Sequence, residues 1–331
     1  MLYISLSENK RRRLSFYLAM EEYVARHMNE HECFFMWQVE PSVIFGRNQL
    51  IENEVNINFC RSHGIKTYRR KSGGGCVYSD LSNIMFSYIT DDKNVGFTFN
   101  KYINMVVIML RKLGVEASAN GRNDIMIGNR KVSGNAFYKL PERSIVHGTM
   151  LYDTNMENMT GSITPEGEKL TSKGIQSVRQ RIALLKDYID MDIDSFMAFA
   201  KESLCNREIC LTQEDIRVIE DIEKEYLSPE FIYGNNPRYT ITRHKRIDNV
   251  GTIEVRMELK NNIIKDMNIM GDFFLTGDLD GTMIKPLIGK ELTEEALDKA
   301  LPQNTENIIM NLRRSDLIGL LQEGKSNTRT N

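Results

Sequence analysis

The sequence has no CxxC pair, and its five cysteines (Cys33, Cys60, Cys76, Cys205, Cys210) follow no framework spacing. An odd, unpatterned set points to reduced thiols in a cytosolic protein rather than a disulfide scaffold. No apolar run approaches membrane-spanning length, and the start, MLYISLSENKRRR, lacks an apolar signal region. Neither secretion nor membrane insertion is expected, and the expected location is the cytoplasm. Net charge is nearly absent, at −2, which argues against bulk nucleic-acid binding. Neither GxxxxGK[ST] nor GxGxxG occurs, so the standard phosphate loops are excluded. Repeats and low-complexity segments are missing too. What remains is an ordinary globular composition, 41% apolar and 27% charged over 331 residues, enough for a sizeable core and two domains.

One stretch dominates: RRKSGGGCVYSDLSNIMFS, Arg69 to Ser87. Gly73, Gly74 and Gly75 permit backbone angles closed to other residues. Their N–H groups, unshielded by side chains, suit an anion nest. Arg69 and Arg70 add positive charge fitted to phosphate or carboxylate. The plain alternative is a flexible turn beside a solvated arginine pair.

Along the chain, MLYIS reads as a strand, and Leu14, Tyr17, Leu18, Val24, Ala25 and Met28 recur at helical spacing over about Ser15–Met28. The basic run Lys10–Arg13 before it reads as solvated surface or as a docking patch for an acidic partner. Strands are expected at Cys33–Trp37, Ser42–Phe45 and Ile65–Arg70, with a helix near Asn53–His63. Trp37, the only tryptophan, serves core packing by default. Thr98–Leu113 is a strong amphipathic helix stopped by Gly114. Ile125–Ile127, Gly-Asn, Arg130–Val132 is a hairpin signal, with Lys131 on its second arm, and Ile145–Tyr152 is another strand. Thr154–Arg181 has little periodicity and reads as a long functional loop. Helices follow at Ile193–Cys205 and Glu214–Tyr226. The turn-rich Ser228–Tyr239 marks a boundary between a domain 1–236 and a smaller one, 237–331. In the latter, Gly251–Leu259 and Ile263–Met270 are strands about an Asn261-Asn262 turn, and helices are expected at Thr293–Leu301 and Asn304–Leu312. The last eight residues read as disordered.

The combination RRxSGGGxVxxD, RKVSG and KGIxSVRxR, with SFYLAMEEYVARHM and WQVEPSVIFGRNQ before it, resembles the lipoate–protein ligase A family over most of the chain. The resemblance implies an α+β catalytic domain on a mixed β-sheet with flanking helices. This is the biotin/lipoate ligase fold, akin to class II synthetase cores, followed by a small C-terminal α+β domain. It implies ATP-dependent activation of lipoate to lipoyl-AMP, with Mg²⁺, and transfer to a lysine of a lipoyl domain. The expected acceptors are 2-oxoacid dehydrogenase E2 subunits and the glycine-cleavage H protein, with lipoic or octanoic acid as substrate. No nucleic acid or membrane takes part.

Carried over residue by residue, Lys131 contacts both ATP and lipoate, and Arg70, Gly75, Cys76, Val77 and Tyr78 contact ATP. Trp37, Ser72, Gly73, Gly74 and His147 border the acid. Lys173, Ser177, Arg179 and Arg181 belong to the loop over the adenylate. Asp124 reads either as a turn residue of RND or as a Mg²⁺ ligand, and His147 either as a pocket residue or as a packed strand histidine. Cys76 reads as a small residue whose backbone matters, since no histidine nearby lowers its pKa. Where the family has Asn and a first His, this chain has Tyr17 and Val146. The competing functions are an ATP-independent lipoyl or octanoyl amidotransferase, a noncatalytic lipoate-binding protein and a biotin ligase.

Overall fold

The computed structural model describes residues 1–7, 10–92, 94–120, 123–163, 179–234 and 241–323. The chain separates into two compact units. The first takes Met1–Arg47, Ile51–Lys71 and Cys76–Gly234; the second takes the described residues beyond Gly234 with Asn48–Leu50 and Ser72–Gly75.

Strands of the first unit are β1 (Leu2–Leu6), β2 (Glu32–Trp37), β3 (Ser42–Phe45), β4 (Lys66–Arg69), β5 (Val77–Ser79), β6 (Ile84–Thr90), β7 (Ala117–Ala119), β8 (Asp124–Ile127), β9 (Arg130–Lys139), β10 (Ser144–Met150) and β11 (Arg207–Leu211). Eight of the described strands form one sheet in the order β11-β1-β2-β6-β10-β9-β8-β7, and β4-β3-β5 form a second, small one. Pairs β11–β1 and β1–β2 are parallel while β2–β6, β6–β10 and β10–β9 are antiparallel. The large sheet is therefore mixed, as expected.

Alternation along each strand assigns the two faces. Phe34, Tyr88, Val146 and Phe137 share one register row. Phe137 and Tyr88 meet Phe99 and Tyr102 of helix Val95–Lys112, with ring centroids 5.4 and 5.8 Å apart. The neighbouring row, Phe35, Ser87, His147 and Ala136, points the other way, toward helix Leu14–His27. That helix is buried from Leu14 to Ala25. It has no wet face because helix Gln213–Leu227 packs along its outer side.

The basic run before it is tied down. Arg11 pairs with Glu40 at 3.1 Å, Arg12 with Glu220 at 2.7 Å and Arg13 with Glu223 at 2.7 Å. Arg12 and Arg13 thus brace helix Gln213–Leu227 and do not present a bare cationic patch.

Some expectations need correction. The helix near Asn53–His63 is two short ones, Ile51–Glu54 and Ile57–Ser62, because Asn56 breaks the first and caps the second by accepting from Phe59 N. The long loop after Thr154 opens with a helix, Met156–Ser162, capped by Asn155; 164–178 lie outside the described residues. Strand β11 escapes a pattern reading because four of its five residues are exposed and show no alternation, and pairing to β1 defines it.

In the second unit β12 (Ile241–Ile247), β13 (Gly251–Lys260) and β14 (Ile263–Gly271) make an antiparallel sheet. The turn at Asn261-Asn262 sits at φ 54° and 63°. Ile253, Val255 and Met257 line its core with Leu317, Leu320 and Leu321 of helix Arg314–Gln322. The helix expected at Asn304–Leu312 is only a 3₁₀ turn, Thr305–Asn307. Ile309 bridges Leu275 instead, and Asn311 turns the chain at φ 62°. Strand β12 was not foreseen. The last eight residues fall outside the described set. Among the described residues no helix is long and apolar enough to cross a membrane.

Candidate active site

A second register row lies on the helix Leu14–His27 side of the large sheet. It runs Trp37, Met85, Thr149, Gly134, Asp124 across five strands. Lys131 reaches this row from one turn of strand away. Its Nζ lies 2.8 Å from Asp124 Oδ1. A Cβ on Gly134 would sit 2.5 Å from that Nζ and 2.6 Å from Cε. The glycine of RKVSG is therefore the floor on which the lysine lies. The strand holding Lys131 is fixed from behind, since its carbonyl accepts from Ala183 N at 2.8 Å. The Lys131 side chain is 36% exposed, so a ligand can reach it.

The rest of the motif builds a rigid surround. Asn135 and Asn123 exchange amide contacts: Asn123 Nδ2 donates to Asn135 O at 3.1 Å, and Asn135 Nδ2 to Asn123 O at 3.0 Å. Asn120 Oδ1 accepts from the backbone N–H of Asn123 and Asp124, at 3.1 and 3.0 Å. Gly148, opposite Asn135, has no room for a side chain: a Cβ there would lie 1.8 Å from Asn135 Oδ1. SGN and HGT are thus two halves of one packing.

His147 is buried, and its Nδ1 lies 3.0 and 2.9 Å from the two oxygens of Glu21, itself fully buried. Ser87 Oγ donates to Glu21 at 2.6 Å, and Trp37 Nε1 donates to Ser87 at 2.9 Å. A continuous buried chain of contacts thus links Trp37, Ser87, Glu21 and His147. Trp37 also stacks on Tyr17, with ring centroids 4.9 Å apart. Tyr138, its ring 6.0 Å from that of His147, has its hydroxyl pushed well above the ordinary range by burial and then by Glu21 and Glu22. A 450 Å³ cavity opens beyond the tryptophan, lined by Tyr3–Leu6, Tyr17 and Met197. Of the predicted site residues only Trp37 borders it.

The arginine pair divides. Arg69 is spent on structure, donating from Nε to Ile232 O at 2.8 Å and from Nη1 to Arg47 O at 2.7 Å, with its guanidinium 4.5 Å over Phe45. Arg70 is buried, donates to Ile44 O at 3.0 Å, and is lowered by that burial to about 10, so it stays cationic at neutral pH. Val77 packs against the core cluster that holds Trp37, Met85 and Tyr138. The Tyr78 side chain is buried in another cluster, and its backbone pairs with Val43 of β3. The Cys76 thiol is pushed up, by burial and then by Glu54, which opposes a nucleophilic role.

Within the second unit, Gly74 N–H donates to Phe273 O at 3.1 Å, and a Cβ on Gly73 would stand 2.4 Å from the same oxygen. Gly74 has φ +84°. Two of the three glycines thus have a packing reason of their own, and the Gly74 amide is engaged. Gly75 is exposed and Ser72 buried. Arg179 and Arg181 are exposed, while Lys173 and Ser177 lie outside the described residues.

The pattern of the lipoyl protein ligase A/B catalytic domain matches residues 14–205, and that of the bacterial lipoate protein ligase C-terminus matches 236–321. The chain belongs to the lipoyl protein ligase A/B family. The Bacillus subtilis (strain 168) lipoate-protein ligase LplJ is 34% identical over 92% of this chain and 95% of its own length. Among solved structures, P. falciparum LipL1 in complex with lipoate shares the fold, with TM-score 0.78 at 19% identity over 98% of this chain and 99% of that one. A bi-partite lipoate protein ligase from Thermoplasma acidophilum, studied with its E2 lipoyl domain, gives 0.64 at 26% over 72% and 98%. A lipoate-protein ligase A bound with ATP gives 0.61 at 26% over 70% and 98%.

Sequence reasoning passed over Glu21, Glu22, Ser87, Asn135 and Gly134. The available signal was LSFYLAMEEYVA: two adjacent carboxylates inside an otherwise apolar helix demand buried partners.

Proposed function

We propose that this ligase activates free lipoic acid, or an eight-carbon analogue, with ATP and transfers the acyl group to a lysine of an apo lipoyl domain. The observation that carries this reading is the Lys131 ammonium lying across Gly134, on the sheet face that also bears Trp37 and His147. From Gly134 to Trp37 is three strand spacings of about 4.8 Å, roughly 14 Å in all, a fitting length for such an acid with its carboxylate at Lys131. Thr149 and Met85 lie between them on that row.

A carboxylate oxygen attacks the α-phosphorus, the bond to the bridging oxygen of pyrophosphate breaks, and lipoyl-AMP forms. The neutral amine of the acceptor lysine then attacks the acyl carbon and AMP leaves. Neither step needs an enzyme nucleophile. Each develops negative charge, which Lys131 and Arg70 meet with preorganised positive charge. Arg179 and Arg181, with Lys173 and Ser177, belong to the segment we assign to covering the adenylate. Gly75, Cys76 and Val77 offer backbone to the nucleotide, and Ser72, Gly73 and Gly74 complete the turn.

Asp124 fits the Mg²⁺ that ATP chemistry implies. Its Oδ1 is buried and, among the described residues and apart from the Lys131 ammonium, receives no aligned hydrogen bond. Mg²⁺ commonly takes one or two carboxylates and fills the remaining positions with phosphate oxygens and water. When bound, the ion neutralises phosphate charge.

The E2 lipoyl domain studied with the Thermoplasma ligase supports acceptors of that kind, and we extend the proposal to the glycine-cleavage H protein. The test is incubation with ATP, Mg²⁺, lipoic acid and an apo lipoyl domain. Stoichiometric pyrophosphate and an acceptor heavier by one lipoyl group are expected. Acyl transfer without ATP, or activation of biotin in preference, would overturn the reading.

A further inference from the structure

Lys71 follows Arg70 directly, yet the two side chains serve different partners. Lys71 Nζ lies 2.7 Å from Glu22 Oε1 and 2.7 Å from Glu225 Oε2, and 4.9 Å over the Tyr226 ring. Glu22 is buried, and it also receives Arg26 at 2.9 Å and the Tyr226 hydroxyl. Two residues earlier Arg69 turns to the same side and donates to Ile232 O. Alternation along the extended chain thus sends Arg69 and Lys71 one way and Arg70 the other. Helices Gln213–Leu227 and Pro229–Tyr233 grip the segment at two points, one on each side of Arg70.

A buried ion pair is a poor device for stability, since apolar packing of the same volume often does as well or better. Its distinctive contribution is geometric. Three donors converge on one carboxylate from helix Leu14–His27, and this fixes where the Lys71 backbone stands. The same helix places Glu21 against His147, so adjacent carboxylates register the acid side and the phosphate side to one scaffold.

We propose that Lys71 is a positioning residue for ATP: its buried pair with Glu22 holds the backbone from which Arg70 reaches the phosphates. This rests on the ligase reading of Arg70 given above. The experiment is calorimetric titration of ATP into wild type, Lys71→Met and Lys71→Arg, with KM for ATP and for lipoic acid measured separately. Because a 1 Å misplacement can cost up to about a hundredfold, Lys71→Met is expected to weaken ATP about tenfold and leave KM for lipoic acid within about twofold. Lys71→Arg restores ATP affinity.

Unchanged ATP affinity in Lys71→Met, with only a lower melting temperature, would reduce Lys71 to a structural residue and overturn the proposal. So would equal losses for both substrates. If Lys71→Met does not fold, the double variant Glu22→Gln, Lys71→Met removes both charges of the pair and is read by the same criteria. A wild-type protein that binds no ATP refutes the ligase reading and this inference with it; tight ATP binding in both proteins refutes this inference alone.

Discussion

Replacing Gly134 by alanine separates function from stability in a way the geometry dictates. The new Cβ would meet Lys131 Nζ at 2.5 Å and Cε at 2.6 Å, with Asp124 Oδ1 at a comfortable 3.7 Å. Ordinary carbon contacts begin near 3.5 Å, so the ammonium must move by about 1 Å. The moving atoms are the end of a flexible side chain, and Gly134 is not among the positive-φ residues. The backbone therefore accepts alanine, and a glycine removed from a strand interior returns roughly 0.5–1 kcal/mol. Melting temperature should stay level or rise slightly. Activity should not: displacement of a positioned charge by that distance costs on the order of a hundredfold in rate, about 3 kcal/mol in the transition state. The assay is pyrophosphate release with ATP and lipoic acid, beside a thermal melt. Full activity in Gly134→Ala would refute the placement of Lys131 over this glycine, and collapse of the fold would refute the claim that only the side chain yields.

Other outcomes follow from single residues. Arg69→Ala strands the carbonyls of Ile232 and Arg47 and should cost about 2–3 kcal/mol of stability, read by denaturant titration. Cys76→Ala should keep acyl transfer, and because burial raises the wild-type thiol, iodoacetamide at neutral pH should label it far more slowly than exposed Cys210. Asp192 caps helix Ile193–Leu204, and the Ser195 backbone N–H lowers its carboxyl below the ordinary value. Its stabilisation is present above the unfolded pKa and lost as pH falls through the lower folded one. Asp192→Ala should therefore lower the melting temperature at pH 7 and make little difference in strong acid; an equal deficit at both would contradict the assignment.

The hairpin carrying Lys131 was legible because a Gly-Asn pair between two short strands is a hairpin signal; Gly128 turns there at φ 57°. Helix Val95–Lys112 was legible from its period and its stop at Gly114, φ 79°. Strand β11 was not, because its evidence is a backbone ladder to a partner some 200 residues away. The division between Arg69 and Arg70 was equally hidden, since adjacent letters say nothing about which side each will face until the strand and its neighbours are placed. His147 and Trp37 were chosen by resemblance, but the carboxylate and hydroxyl that join them lie 126 and 50 residues away in sequence. Local pattern reads periods and turns; it does not read partners.

The most direct measurement is lipoyl-AMP formation by Lys131→Ala, followed as pyrophosphate released with lipoic acid and no acceptor present. A folded variant with the wild-type melting profile and no detectable release is predicted. Release at the wild-type rate would contradict the assignment of this ammonium as the charge shared by the acid and the α-phosphate.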